Sequence, residues 1–331
     1  MKSFLKSRFS ARRLTIVAAC AAFFAAGQTG YAITSNWNAD AADVWSNAAR
    51  WSAGIPDAAE DIANLNFNLG TNRIITINGA VASRTLGVLT IGDSNNSHSY
   101  TLAASGGGTL TFDNGLSNAS LTQLSTSFGD TISAPIRLNS SLDLTNSAAA
   151  RTLTLSGAWS TTTAGTKTVT IAGSAAGTIT MSGVISESTG QIAIVKNNTA
   201  NTLTLSGANT FSGGVTHGGG TLSINNSGTG GTSSALGTGT FTIAGGTINN
   251  TSAGAVTLST NNAQNWNGNF TFGGAQDLNL GTGAVTMSAS RTITLGSSNN
   301  TLTVGGNISG ATFGLTTVNS GSAITTVLSL G

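Results

Sequence analysis

The residues that could do chemistry are few and unevenly placed. Of eleven acids in 331 residues, five (Asp40, Asp43, Asp57, Glu60 and Asp61) share a short stretch with Trp37, Trp45 and Trp51. Four more, Asp93, Asp113, Asp130 and Asp143, are spaced 13 to 20 residues apart in the company of Arg84 and Arg137. Clustered tryptophans offer flat apolar faces on which sugar rings stack. Clustered carboxylates offer hard oxygen ligands for calcium, or the acid and base of glycoside hydrolysis, which need about 5 to 9 Å between them. The first cluster therefore has three readings: a bulky cover for the end of a stack, a ligand-stacking platform made by Trp37, Trp45 and Trp51, or a calcium site. Aspartates in turns such as Asp113-Asn114-Gly115 more simply accept hydrogen bonds from their own loops.

Elsewhere the chemistry thins out. From Arg151 onward Glu187 and Asp277 are the only acids, 90 residues apart. His98 and His217 lack a partner at metal-ligand spacing, so zinc is not expected, and His98 between serines reads as a solvated loop residue. No nucleophile elbow, phosphate-binding loop or dinucleotide fingerprint is present. The expectation is a non-enzyme without a cofactor, calcium being the one ion with any candidate ligands.

The first 32 residues read as a secretory signal. Lys2, Lys6, Arg8, Arg12 and Arg13 precede an apolar run from Leu14 to Ala26, and Gly30-Tyr31-Ala32 presents small residues for cleavage. Removing the segment takes five bases and no acid, so the formal charge moves from +2 to −3. The basic pI belongs to the leader, and a nucleic-acid partner is not expected. Cys20 also leaves with it, so no disulfide holds the remainder. No later run is long enough for a membrane helix. The expected location is outside a bacterial cell, secreted or at its surface.

What positions any site is a repeat. The heptapeptide TLTLSGA occurs unchanged at Thr152–Ala158 and Thr202–Ala208. Looser copies of its Thr-aliphatic alternation include Thr168-Val169-Thr170-Ile171, Thr178-Ile179-Thr180-Met181 and Thr301-Leu302-Thr303-Val304. Period-two alternation bounded by Gly, Asn and Ser marks strands with one apolar face, whereas strands covered by helices on both sides read as continuous apolar runs. No helical period lies between them. Repetition at this spacing means that each unit buries its apolar face against the next. The fold expected is all-β, a parallel right-handed β-helix or β-solenoid, with residues 33–68 as an N-terminal cap segment and 69–331 as the repeat region. At about 20 to 30 residues per coil it would hold about 10 to 14 coils, stacked ~4.8 Å apart with leucine on leucine and threonine on threonine. The final run, Thr325 to Gly331, reads as a strand whose edge calls for a covering loop, further chain or a partner.

The best-preserved unit lies within 201–250. Thr202-Leu203-Thr204-Leu205-Ser206-Gly207-Ala208-Asn209-Thr210-Phe211-Ser212-Gly213-Gly214, followed by Gly220-Thr221-Leu222, resembles an autotransporter-associated β-strand repeat, whose unit reads approximately LTLSGANTYSGGT, a spacer and GTL. Phe211 stands where tyrosine is common, and at the earlier copy Trp159-Ser160 replaces Asn-Thr. The segments Trp45-Ser46-Asn47 and Trp51-Ser52-Ala53-Gly54-Ile55-Pro56 resemble the entry of many such proteins. The resemblance implies an exported, passenger-type β-helix. No alternating, aromatic-girdled strands of a C-terminal β-barrel are recognisable here. The function expected is a structural or adhesive element at the cell surface or in the extracellular matrix, partnered by polysaccharide or by sister rods. The alternative is a carbohydrate-binding or carbohydrate-cleaving β-helix, working through the tryptophan segment or the Asp93 to Asp143 stretch.

Overall fold

The computed structural model describes residues 31–331 apart from 79–82, 174, 198, 297–298, 311 and 321–326. The expected signal segment lies almost wholly outside the described residues. Ile33–Gly331 forms one compact unit.

Alternation decides the architecture. In Thr152–Leu155 and Thr202–Leu205 the leucines are fully buried and the threonines stay outside, as the two faces of a half-buried strand require. Every pairing between strands among the described residues is parallel. The chain runs through a strand on one face, turns onto a second, turns again onto a third, and returns one level up. The result is a parallel β-solenoid of about 11 turns. Two of its faces are 12-stranded sheets in which strict order is kept from Thr34–Asn36 to Ile308–Ser309 and from Asp43–Val44 to Leu315–Asn319. The third face is two four-stranded sheets, from Ser83–Leu86 to Trp159–Thr161 and from Val256–Thr257 to Val327–Leu330. Helix among the described residues is limited to one 3-10 turn, Ala48–Arg50.

Like stacks on like, as the repeat demands. Thr152, Leu153, Thr154 and Leu155 lie in register with Thr178, Ile179, Thr180 and Met181, which lie in register with Thr202 to Leu205. The two identical heptapeptides are thus two coils apart, with TITMSGV between them. The glycine that follows each strand has a steric reason. A Cβ on Gly157 would stand 2.0 Å from the Ala134 carbonyl oxygen, one on Gly183 1.9 Å from that of Gly157, and one on Gly207 2.5 Å from that of Gly183. Successive coils approach too closely at this corner for any side chain.

Where the third face lacks strands, between Thr161 and Val256, Asn209 takes over. Its Oδ1 accepts from the Ile185 amide at 2.9 Å in the coil before, and its Nδ2 donates to the Ala235 carbonyl at 2.8 Å in the coil after. One fully buried side chain there does the work of two ladder bonds. The asparagine of the best-preserved repeat is explained by that gap.

Within residues 33–68 the first coil runs from Thr34–Asn36 through Asp43–Val44 to the turn before Ile62, and Ile62–Leu65 already begins the second coil. Thr34–Asn36 pairs with Ile62–Leu65 in the first face, and Asp43–Val44 opens the second. The edge of Thr34–Asn36 away from the stack is covered by the chain's own return: Asn36 N donates to Ser52 Oγ, Ser52 N to the Asn36 carbonyl, and Trp37 bridges Trp51 antiparallel. In the last coil, Leu315–Asn319 and Val327–Leu330 pair on one side among the described residues, and Val318, Val327 and Leu330 are about half exposed.

Candidate functional site

The tryptophan segment is not a platform. Trp37, Trp45 and Trp51 are 1%, 0% and 4% exposed. Trp51 lies edge-on to Trp37 at 5.3 Å between ring centroids and tilted on Trp45 at 4.6 Å. Trp45 Nε1 donates to the Pro56 carbonyl and Trp51 Nε1 to the Trp45 carbonyl. Their flat faces are covered by one another and by the core, so a sugar ring finds nothing to stack on. The cause is plain: among the described residues no coil lies beneath the first, and large rings supply that contact.

The neighbouring acids are held as singles. Asp40 is paired with Arg73 at 2.6 Å and Asp43 with Arg50 at 2.7 Å, and each guanidinium holds its carboxyl below the ordinary range. Asp57 pairs with Arg84, and Asp61 accepts the amides of Ile33, Asp57 and Ala58. No group of three or more His, Cys, Asp or Glu among the described residues is placed to hold a metal ion.

The spacing of the Asp93 to Asp143 stretch does not produce an acidic ladder. Asp143 stacks between Ser120 and Thr170, and Asp113 holds the Gly115 amide and Asn139 Nδ2. Asp93, fully buried, accepts the amides of Leu69, Ser97 and His98 and the Ser97 hydroxyl. Burial pushes its pKa up, but those hydrogen bonds outweigh it and the carboxyl ends below the ordinary range. Asp130 goes the other way. It accepts from the Tyr100 amide and the Ser127 hydroxyl, yet burial dominates and its pKa is pushed up to about 6. His98 is half-buried against Asp93, its Nδ1 within 3.0 Å of the Leu69 carbonyl, rather than solvated. These groups tie loops to coils.

A third polar group lies inside the solenoid. Lys196 and His217 end adjacent strands of the first face, in direct register, and both are 0% exposed. Lys196 Nζ donates to Asn201 Oδ1 at 2.8 Å and to the Gly219 carbonyl at 2.9 Å. His217 Nε2 donates to the Thr247 carbonyl at 3.0 Å, while its Nδ1 is buried with no hydrogen-bond partner among the described residues. Burial lowers the lysine to about 8; burial, and then the charge of Lys196, lower the histidine to about 4. Metal spacing was the wrong signal for this histidine. The right one was phase: Ile192, Ile194 and Lys196 alternate inward in Gln191–Lys196, as do Val215 and His217 in Val215–His217.

An ordered polar surface lies on the second face. Thr152, Thr178, Thr202, Thr221, Thr247, Thr271 and Thr294 stack in one outward column. Thr101, Thr131, Thr154, Thr180 and Thr204 stack in a second, which ends where Ser223, in register with Thr204, is buried. The columns stand about 7 Å apart with a hydroxyl about every 4.8 Å along each. Neither contains a charge.

The fold and surface define a parallel β-solenoid with hydroxyl-lined ladders and its polar interior closed off. Comparison with protein-family models, with curated proteins and with solved structures gives no match in any of the three. No helix among the described residues is long and apolar enough to cross a membrane.

Proposed function

We propose that this chain is an exported, non-enzymatic β-solenoid of the autotransporter-associated repeat type, acting as a structural or adhesive element at the bacterial cell surface or in the extracellular matrix. The observation that carries the reading is the pair of threonine columns on the second face. Single hydroxyl contacts are weak, but a rigid array repeats them at a fixed spacing, and binding at many points multiplies. An uncharged hydroxyl lattice suits polysaccharide chains and sister rods alike, since both present hydroxyl or amide partners in series. Support for export comes from the leader-like first 32 residues, and support for a structural role comes from carboxylates that are engaged in ion pairs and loop hydrogen bonds.

The test is retention of the purified protein on polysaccharide-coated beads and on beads carrying the protein itself. Thr180→Lys and Thr204→Lys would place like charges in neighbouring coils of one column. Loss of retention with unchanged circular dichroism supports the reading. Retention that ignores both substitutions sinks it.

A further inference from the structure

The Lys196 corner holds the components of a covalent bond. Lys196 closes the Gln191–Lys196 strand of the first face, and Asn201 immediately precedes Thr202–Leu205 of the second. Both are sealed from solvent, at 0% and 1% exposure. The amine is hydrogen-bonded to the side-chain carbonyl oxygen of Asn201 at 2.8 Å, which puts Nζ beside the amide carbon Cγ. One coil on, in register with Lys196, His217 carries a buried imidazole nitrogen with no partner among the described residues. A nucleophile, an acylating group and a proton acceptor are therefore gathered at one dry corner.

We propose that Lys196 and Asn201 form an intramolecular isopeptide bond, with His217 as the proton carrier. The Nζ lone pair attacks Cγ, and the carbonyl π pair moves onto Oδ1. A proton passes from Nζ to His217 Nδ1 and on to Nδ2 of Asn201. The Oδ1 pair then returns, the Cγ–Nδ2 bond breaks, and ammonia leaves. An amine and a primary amide become a secondary amide and ammonia, with no change of oxidation state and no other reactant.

The environment favours each step. An attacking amine must be neutral, and burial lowers Lys196 to about 8, so about one molecule in ten has a neutral amine at pH 7. An accepting imidazole must be unprotonated, and His217 is held at about 4, first by burial and then by the lysine charge. Exclusion of water protects the amide carbon from competing hydrolysis. The product removes a buried ionisable amine and clamps the turn between the two large sheets. This inference does not depend on what the outer face binds.

The experiment is intact-mass spectrometry of the purified, folded protein, followed by trypsin digestion. The expected result is a mass one ammonia below that of the sequence, no tryptic cleavage after Lys196, and fragment spectra joining Lys196 to Asn201. Asn201→Ala should keep its full mass and be cleaved after Lys196. His217→Phe should form the bond at least tenfold more slowly, and the wild-type rate should rise with pH up to about 8. A folded wild-type protein that keeps its full mass after prolonged incubation at pH 9 would overturn the proposal without recourse to any variant. So would an ammonia loss that maps to another residue.

Discussion

Gly183 sits on the carbonyl of Gly157 so closely that a Cβ would stand 1.9 Å from the oxygen. The contact is backbone to backbone, so no side chain can move aside to relieve it.

Gly183→Ala should therefore cost about 3 kcal/mol or more, at the upper end of overpacking effects. Gly254→Ala is the control, because a Cβ there meets nothing within 4 Å. Urea unfolding followed by circular dichroism should separate the two. Equal midpoints would mean that the coils are less tightly stacked at the repeated Ser-Gly corner.

Asp130 and His217 should set opposing pH dependences. Asp130 is raised from 3.8 to about 6, so its contribution to stability is present below 3.8 and lost as pH rises through 6. His217 is lowered from 6.5 to about 4, so its contribution is present above 6.5 and lost as pH falls through 4. Over pH 4 to 6 the two nearly cancel. Asp130→Asn should expose a gain of about 3 kcal/mol as pH rises across this window, and His217→Leu a loss of similar size. Unfolding curves at pH 4, 5 and 6 for the three proteins check the signs, and parallel slopes in all three would refute the assignment.

Much of the fold was legible in the sequence, and the reason is stacking. A parallel coil needs the same residue type at the same level in successive turns, so Thr152, Thr178 and Thr202 announce their pairing by identity alone. The site was less legible. Trp37, Trp45 and Trp51 suggest a platform by composition, and their burial follows from the position of Thr34–Asn36 as the outermost strand among the described residues. The aspartates from Asp93 to Asp143 are spaced at less than one coil, so they fall out of register: Asp93 and Asp130 lie in corners between the first and second faces, Asp113 follows a third-face strand and Asp143 lies within a first-face strand. Lys196 and His217 are readable as interior residues from the alternation of their own strands.

Trp45→Ala should act on stability and not on attachment. Its indole is fully buried and packed on Trp51, so truncation should cost about 3 to 5 kcal/mol. Retention on polysaccharide at a temperature well below the lowered melting point should be unchanged. Lost retention in a variant that is still folded would revive the carbohydrate-stacking reading.

Asn209→Ala should leave the Ile185 amide and the Ala235 carbonyl without their buried partner. Each orphaned group costs about 1 to 3 kcal/mol, and opening should begin at the gap in the third face. Hydrogen exchange read by mass spectrometry should show the earliest loss of protection around Ile185 and Ala235. Uniform loss along the chain would contradict the bridging role.

The central claim is that repetition builds the rod and that the outward threonine columns make the contacts. It is tested most directly by measuring retention of the purified protein on polysaccharide and on itself as Thr178, Thr202 and Thr221 are changed to lysine one, two and three at a time. Adjacent members of one column are affected, so retention should fall steeply with each step, by tenfold or more for the triple variant, while the β-sheet spectrum stays constant. Undiminished retention in the folded triple variant, or none in the wild type, would contradict it.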